Sequence, residues 1–407
     1  MLTIVGAAVL AQVYVWGCLI YLHNSRHVWY GFHDISDIWV YLERAQWMAQ
    51  GLKPYLDFQF EYPPLAIPLL TLPGHLGDTR AYFWWFSAEM MIASSLAAGA
   101  TAATAGYLWR GLRRPLIVAA MYAVAVAALG TIVANRYDAV VALVLALFLL
   151  CLAKRWWVAA GAVLGLGFAL KLTPLILLPL IFVLAPQWRT IWRTSLIFAV
   201  CAVTPFLYYL SQTHTVSGLT YIFRYHFQRP MQIESVLAMP MMLGQLRDRT
   251  TIVITSSYGS QGIESSAAHA LASMSGVLMA IAMTGIYALI WRRRELLRSA
   301  PQHVPLAVLA LILAFMTFGK VLSPQYFIWI LPALALICLE NVWLGVLGMA
   351  VIGLTQVEFP AGYWGLVNLE RHSIIILLVR NWLLVTLFVL TAVRLWALPP
   401  TEEPEEV

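Results

Sequence analysis

The stretch "LGLGFALKLTPLILLPL", Leu164–Leu180, carries a single charge, Lys171, in the middle of an otherwise apolar run. A lysine at the centre of a bilayer costs about 2.5–3.5 kcal/mol on translocon-insertion scales, so this charge needs a turn, a partner or a polar face. Pro174 disfavours helix at the residue before it and breaks the run just after Lys171. Residues 157–185 are too few for two full spans, since one span needs about 20 apolar residues. The segment therefore reads as a short helical hairpin, or a re-entrant pair, with Lys171–Pro174 at its turn.

The rest of the chain has the same character. Of its 407 residues 61% are hydrophobic and 11% charged, where a soluble domain is nearer a quarter charged. Repeated apolar runs imply an all-α integral membrane protein, a polytopic bundle of about 12 membrane helices, some short or re-entrant. Helices are expected over 2–22, 81–108, 115–133, 138–153, 157–170, 173–185, 194–211, 268–291, 304–319, 325–339, 342–357 and 374–396, in one transmembrane domain spanning 1–407. The first reads as a span and not a signal peptide, because it lacks a basic n-region and a clear cleavage site. The 17 Trp, 18 Tyr and 17 Phe suit interfacial belts. Cys18, Cys151, Cys201 and Cys338 lie in apolar runs without metal-ligand spacing. The net charge of +6 reflects basic loops, and no nucleic-acid partner is expected.

Those loops set an orientation. "RGLRR" (110–114), "KRWW" (154–157), "QWRTIWR" (187–193) and "WRRRELLR" (291–298) are basic and should face the cytoplasm. Alternation then puts the long polar segments 23–80 and 212–267 outside, with "NRYD" (135–138), while both termini, including the acidic tail 398–407, fall in the cytoplasm. Lys320 joins the outer turns, flanked by Gly319 and Pro324. Asp34, Asp37, Asp138, Lys171, His226, Arg229 and Lys320 thereby collect on one face. The expectation is a multi-pass protein of the plasma (inner) membrane whose site faces outward.

Each charge has a plain structural reading beside a chemical one. A helix from about 37 to 50, with Gly51 suited to its C-cap, should lie along the interface, as amphipathic helices do. Asp34 and Asp37 at its start would then be caps. Alternatively, one is a general base for a hydroxyl, or both bind a divalent cation through oxygen. Arg136 and Asp138 read as a helix cap with a local ion pair, or as site residues. Arg224, His226, Arg229 and Glu234 sit among aromatics, either as an interfacial segment or as a pocket for a lipid phosphate, which arginine's planar fork suits. Lys171 and Lys320 either snorkel or serve a site within the membrane.

Five stretches, "SDIWVYLERAQWMAQGLKPYLDFQFEYPPLA" (36–66), "NRYDAVVALVLAL" (135–147), "GAVLGLGFALKLTPLILLPL" (161–180), "YHFQRPMQIES" (225–235) and "GKVLSPQYFIWILP" (319–332), together resemble the polyprenol-phosphate-sugar-dependent glycosyltransferases of the GT-C class. The likeness is greatest to the bacterial α-mannosyltransferase branch that includes the mycobacterial phosphatidylinositol-mannoside elongating enzymes. The resemblance implies many membrane helices and a catalytic aspartate in the first outer loop. That aspartate is followed by a Tyr four residues on, then Gly-x-x-Pro-Tyr and Glu-Tyr-Pro-Pro. This carries the role to Asp37, with Asp34 second, and picks out Tyr41, Glu61 and Tyr62. Lys171, Arg229 and Lys320 become donor-phosphate contacts, with His226, Gln325 and Tyr326 as neighbours. Arg136, Asp138 and Glu234 are further candidates.

The implied reaction moves a monosaccharide, mannose first, from a polyprenyl-phosphate donor to a lipid or glycan hydroxyl by one inverting displacement. No cofactor is required by it, and a divalent cation stays open. The rival readings are a secondary transporter or lipid flippase, whose sites lie near the midplane between repeats, and a non-catalytic membrane scaffold.

Overall fold

The computed structural model describes residues 1–34, 36–249 and 251–398, so the acidic tail from 399 onward lies outside the described residues. The chain runs through α1 (Leu2–Asn24), α2 (Ile38–Ala49), α3 (Ala66–Thr71), α4 (Thr79–Leu108), α5 (Arg113–Leu129), α6 (Asp138–Ala153), α7 (Trp157–Leu170), α8 (Leu178–Leu184), α9 (Trp188–Thr213), α10 (Ser217–Gln228) and α11 (Met239–Leu246). A hairpin of β1 (Val253–Ser257) and β2 (Ser260–Glu264) follows. The rest is α12 (Ser266–Arg292), α13 (Arg294–Ser299), α14 (Val304–Phe318), α15 (Phe327–Ile337), α16 (Val342–Gln356), α17 (Tyr363–Val367) and α18 (Arg371–Trp396).

This is an all-α polytopic membrane protein. Among the described residues seven helices are long and apolar enough to cross a bilayer, and shorter apolar helices such as α6, α7 and α15 accompany them. The long Ala-rich α4 is not one of the seven. It is instead an inner support, packing on α1, α5 and α6. α14 and α15 are buried almost throughout, which is why their sequences are apolar on every face. α9 turns Leu196, Val200, Val203 and Leu207 outward, an apolar face on a helix long enough to cross a bilayer.

The segment around Lys171 breaks as its composition demands. α7 stops at Leu170, Lys171 takes an extended conformation, and a 3-10 turn from Thr173 to Leu177 leads into α8. α7 reaches its place through Gly161 and Gly165. A Cβ at Gly161 would lie 2.4 Å from the Thr194 carbonyl oxygen, and one at Gly165 would lie 2.5 Å from that of Phe198. The two glycines let α7 and α9 approach backbone to backbone, as small residues four apart do in membranes.

The first long loop is fastened at several points. α2 forms where the amphipathic pattern placed it, and Gly51 follows its C-cap at φ +89°. Tyr55 Oη donates to the Tyr62 carbonyl at 2.6 Å, and Leu65 N donates to the Ala169 carbonyl at 2.9 Å, tying the loop to the end of α7. In the second long loop, α10 lies against the first, so close at Gly218 that a Cβ would overlap the Tyr55 carbonyl oxygen. The hairpin was not legible in the sequence. Its turn is Tyr258-Gly259, both at positive φ, a two-residue connection usually signalled by Asn-Gly or Asp-Gly.

Gly165→Leu should force α7 off α9. Overpacking of this kind costs about 1–3 kcal/mol, and thermal unfolding in detergent should fall by several degrees, while Gly276→Leu, with open space around it, should leave it unchanged.

Candidate active site

The two long loops meet the N-terminal ends of α2, α6 and α15 and the C-terminal end of α7 around a cleft of about 310 Å3. Twelve of the residues singled out from sequence line it: Asp37, Tyr41, Glu61, Tyr62, Arg136, Asp138, Lys171, His226, Arg229, Glu234, Gln325 and Tyr326. Asp34 and Lys320 do not.

Asp37 sits at the N-cap position of α2, yet its backbone is helical and its side chain makes no capping bond. Its Oδ2 lies 2.8 Å from Arg136 Nε, with the carboxylate 36% exposed and the arginine buried. The capping reading of Asp37 therefore fails. Asp34 turns away. Its Oδ2 accepts from Gly31 N at 2.7 Å, and it borders a separate groove with His33, Trp39 and Asp78. The two aspartates that shared one role in the sequence are parted by the turn into α2. They therefore do not fit a shared metal ion, and among the described residues no group of three or more His, Cys, Asp or Glu is arranged to hold one.

Lys171 does not snorkel. Its Nζ lies 2.6 Å from Asp138 Oδ1, with the lysine 14% and the aspartate 1% exposed. Trp329 Nε1 donates to the same oxygen at 2.7 Å. The ammonium also faces the rings of Tyr137, Trp329 and Tyr326, with centroids at 4.7, 5.1 and 5.8 Å, each within cation–π range. The local ion pair expected between Arg136 and Asp138 is thus replaced by two longer-range pairs, to Asp37 and to Lys171. Successive residues at the start of a helix point in different directions, so each finds a partner on a different element. Asp138 also opens α6, where the helix dipole favours negative charge.

Arg229 follows α10, with its guanidinium over Tyr225 at 5.4 Å. Among the described residues it forms no ion pair, and its buried Nε has no hydrogen-bond partner. Lys320 stands behind it and not in the cleft wall. Its Nζ donates to the Phe227 carbonyl at 2.7 Å and its own carbonyl accepts from Gln232 N, so it ties down the end of α10. Burial and then Arg229 lower its pKa. His226 is open to the cleft, but the protein around its ring, then Arg229, Lys171 and Lys320, push its pKa down to about 4. It is neutral at physiological pH and offers hydrogen bonds but no charge.

Tyr41, Tyr62 and Tyr137 pack edge to face along one wall, beside Glu61, whose pKa burial raises. Gln325 and Tyr326 come from a 3-10 turn, and Tyr326 stacks on Trp329 at 4.2 Å. Glu234 closes the far wall. Gln232 Nε2 donates to its carboxylate, and Arg380 and Asn381 donate to its carbonyl at 3.4 and 3.2 Å. Burial and the neighbouring Glu358 raise the Glu234 pKa well above the carboxylate range.

Sequence reasoning missed Glu358, Arg380, Tyr137 and Trp329. Arg380 donates to Glu358 Oε2 at 3.0 Å, and both are fully buried. The signal was present. Arg380 interrupts the apolar run 374–387 as Lys171 interrupts its own, and intramembrane charges are rarely idle. Trp329 had no such signal, being one apolar residue among many.

The arrangement offers a half-exposed carboxylate, an arginine without an anion and aromatic faces. It can accept a hydroxyl proton, hold a phosphate by charge-assisted hydrogen bonds and stack a sugar ring.

The model of glycosyltransferase family 87 matches residues 60–324, from the second half of the first long loop to the turn before α15. The chain is also similar to GPI mannosyltransferase 1 of Eremothecium gossypii, at 24% identity over 342 residues, covering 81% of this chain and 78% of that protein. These matches support the glycosyltransferase class expected from sequence and leave its mycobacterial branch without further support.

Removing one member of a buried ion pair costs about 3–5 kcal/mol, because the other is left uncompensated. Asp138→Asn should accordingly lower the melting temperature in detergent by several degrees, and Asp138→Asn with Lys171→Met should recover part of the loss. Additive losses in the double variant would show that the pair contributes no coupling.

Proposed function

The chain belongs to glycosyltransferase family 87, and from that membership we propose that it transfers one monosaccharide, mannose first, from a polyprenyl-phosphate donor to a hydroxyl of a lipid or glycan acceptor. The observation that carries this reading is the ion pairing of the cleft's cations. Asp37 is paired with Arg136 and Asp138 with Lys171, which leaves Arg229, among the described residues, as the cation there without a carboxylate. An arginine that forms no ion pair suits the single negative charge of a sugar phosphodiester. A nucleotide diphosphate sugar carries two, and its base would need room that a cleft near the lower end of ligand-pocket volumes does not offer. Mannose rests on the name of the similar GPI mannosyltransferase.

In this reading Arg229, with Lys171 across the cleft, holds the donor phosphate, and Lys320 keeps the end of α10 in place behind it. The prenyl tail stays in the bilayer beside the outward apolar faces of the spans. Asp37 accepts the proton of the acceptor hydroxyl as its oxygen bonds to the anomeric carbon. The bond to the phosphate oxygen breaks, and its electron pair leaves on the phosphate, where the cations stabilise the charge that develops. A phosphate leaves without a general acid, so one carboxylate suffices, unlike the pair a glycosidase needs. Single displacement inverts the anomeric centre. In the same reading the basic loops face the cytoplasm with both termini, and the cleft opens on the outer face of the plasma membrane.

The test uses protein in lipid nanodiscs with short-chain polyprenyl-phosphate mannose, glucose, galactose and arabinofuranose, GDP-mannose as a control, and a membrane-lipid extract as acceptor, read by mass spectrometry. One polyprenyl donor should be consumed and GDP-mannose left intact. Asp37→Ala should reduce turnover by roughly 10²–10⁴-fold, the range for a lost general base. Direct use of GDP-mannose, or full activity of Asp37→Ala, overturns the reading. Arg229→Gln should raise the donor KM at least tenfold, and Arg229→Lys should restore part of it; an unchanged KM would remove Arg229 from the phosphate site.

A further inference from the structure

Asn135–Asp138 are four consecutive residues, and each holds a different part of the cleft. Asn135 is buried and its Nδ2 donates to the Phe32 carbonyl at 2.8 Å, fixing the chain that leads towards Asp37. Arg136 Nε meets Asp37 Oδ2 at 2.8 Å. Tyr137 lies beneath the Lys171 ammonium, and Asp138 pairs with it. The carboxylate on one side of the cleft and the lysine on the other are thus held by a single short turn.

Arg136 is itself immobilised. It is 5% exposed. Its Nη1 donates to the Asn135 carbonyl at 3.1 Å, and its guanidinium lies over the Phe359 ring at 5.6 Å. A planar guanidinium gripped this way holds its charge in one place, against Asp37 Oδ2. Asp37 makes no capping bond to its own helix, so this contact is what fixes the carboxylate.

We propose that Arg136 is the positioning residue of the Asp37 carboxylate, holding Oδ2 so that Oδ1 is left to face the acceptor hydroxyl. The proposal rests on Asp37 being the base. During transfer the proton passes from the acceptor hydroxyl to Oδ1, the acceptor oxygen bonds to the anomeric carbon, and the donor phosphate departs with the electron pair of the broken bond. Arg136 exchanges no proton with either substrate. It acts through the placement of the Asp37 carboxylate.

Acting through another residue predicts a particular kinetic pattern. With short-chain polyprenyl-phosphate mannose as the probe donor, Arg136→Gln should lower kcat about 100-fold and leave the donor KM within about threefold, because the loss falls on the transition state alone. Arg136→Lys, which keeps the charge but not the fork, should recover about tenfold of that. In the Asp37→Asn background, with residual turnover followed over hours, adding Arg136→Gln should cost nothing further, since its target is already gone. An unchanged kcat, a KM that rises in step with the loss, or the same fold-loss in both backgrounds would each overturn the proposal. If Arg136→Gln does not fold, Arg136→Lys alone carries the test, with kcat down about tenfold at unchanged KM; wild-type kcat there overturns it. Full activity of Asp37→Asn would instead refute the base assignment, a separate outcome.

Discussion

The ion pair between Lys171 and Asp138 is the contact around which the cleft is organised. A lysine and an aspartate cannot stay buried apart, because desolvation costs several kcal/mol per ion. Together, with Trp329 donating to the same carboxylate oxygen and three aromatic rings around the ammonium, each becomes tolerable to the other. The pair joins the end of α7, the start of α6 and the first turn of α15. It therefore ties the open ends of two consecutive helices to a third that the chain supplies 191 residues later. The break at Pro174 and the close α7–α9 packing through Gly161 and Gly165 both serve to bring Lys171 to that point.

Charge compensation extends to the other walls. Arg136 answers Asp37, and Arg380 answers Glu358 beside Glu234. Each pair links segments distant in sequence, so the polar groups that make the cleft chemically useful also close it. Arg229 departs from this pattern. It sits at the end of an amphipathic helix whose last turn is tied by Lys320, and its buried Nε has no partner. A fully compensated cleft would be a structural knot. An arginine that forms no ion pair among the described residues is a departure from that compensation.

The hairpin and α10 contribute a further wall. Tyr225 Oη donates to the Tyr258 carbonyl at 2.5 Å, and Gly259 and Ser260 reach the cleft from the hairpin tip. The second long loop thus roofs the site that the first one floors, and the contact at Gly218 holds the two loops together.

Composition and periodicity were enough to determine a helical membrane protein, most helix boundaries to within a few residues, and the amphipathic helix after Asp37. Bilayer physics imposes those features on the sequence: spans must be apolar and about 20 residues long, and a charge or proline within one stands out. Lys171, Asp138 and Arg136 were legible as residues for that reason. Their partners were not. Whether Arg136 meets Asp138, two residues on, or Asp37 on another loop depends on where two loops dock. Whether Asp34 or Asp37 enters the cleft depends on the direction of one turn. Trp329 and Tyr137 carry no charge to mark them, and the hairpin's Tyr-Gly turn lacks the usual residues. Helix formation is local and can be read from the sequence along one segment. Ion pairing across a cleft is decided only when segments distant in the chain pack against each other.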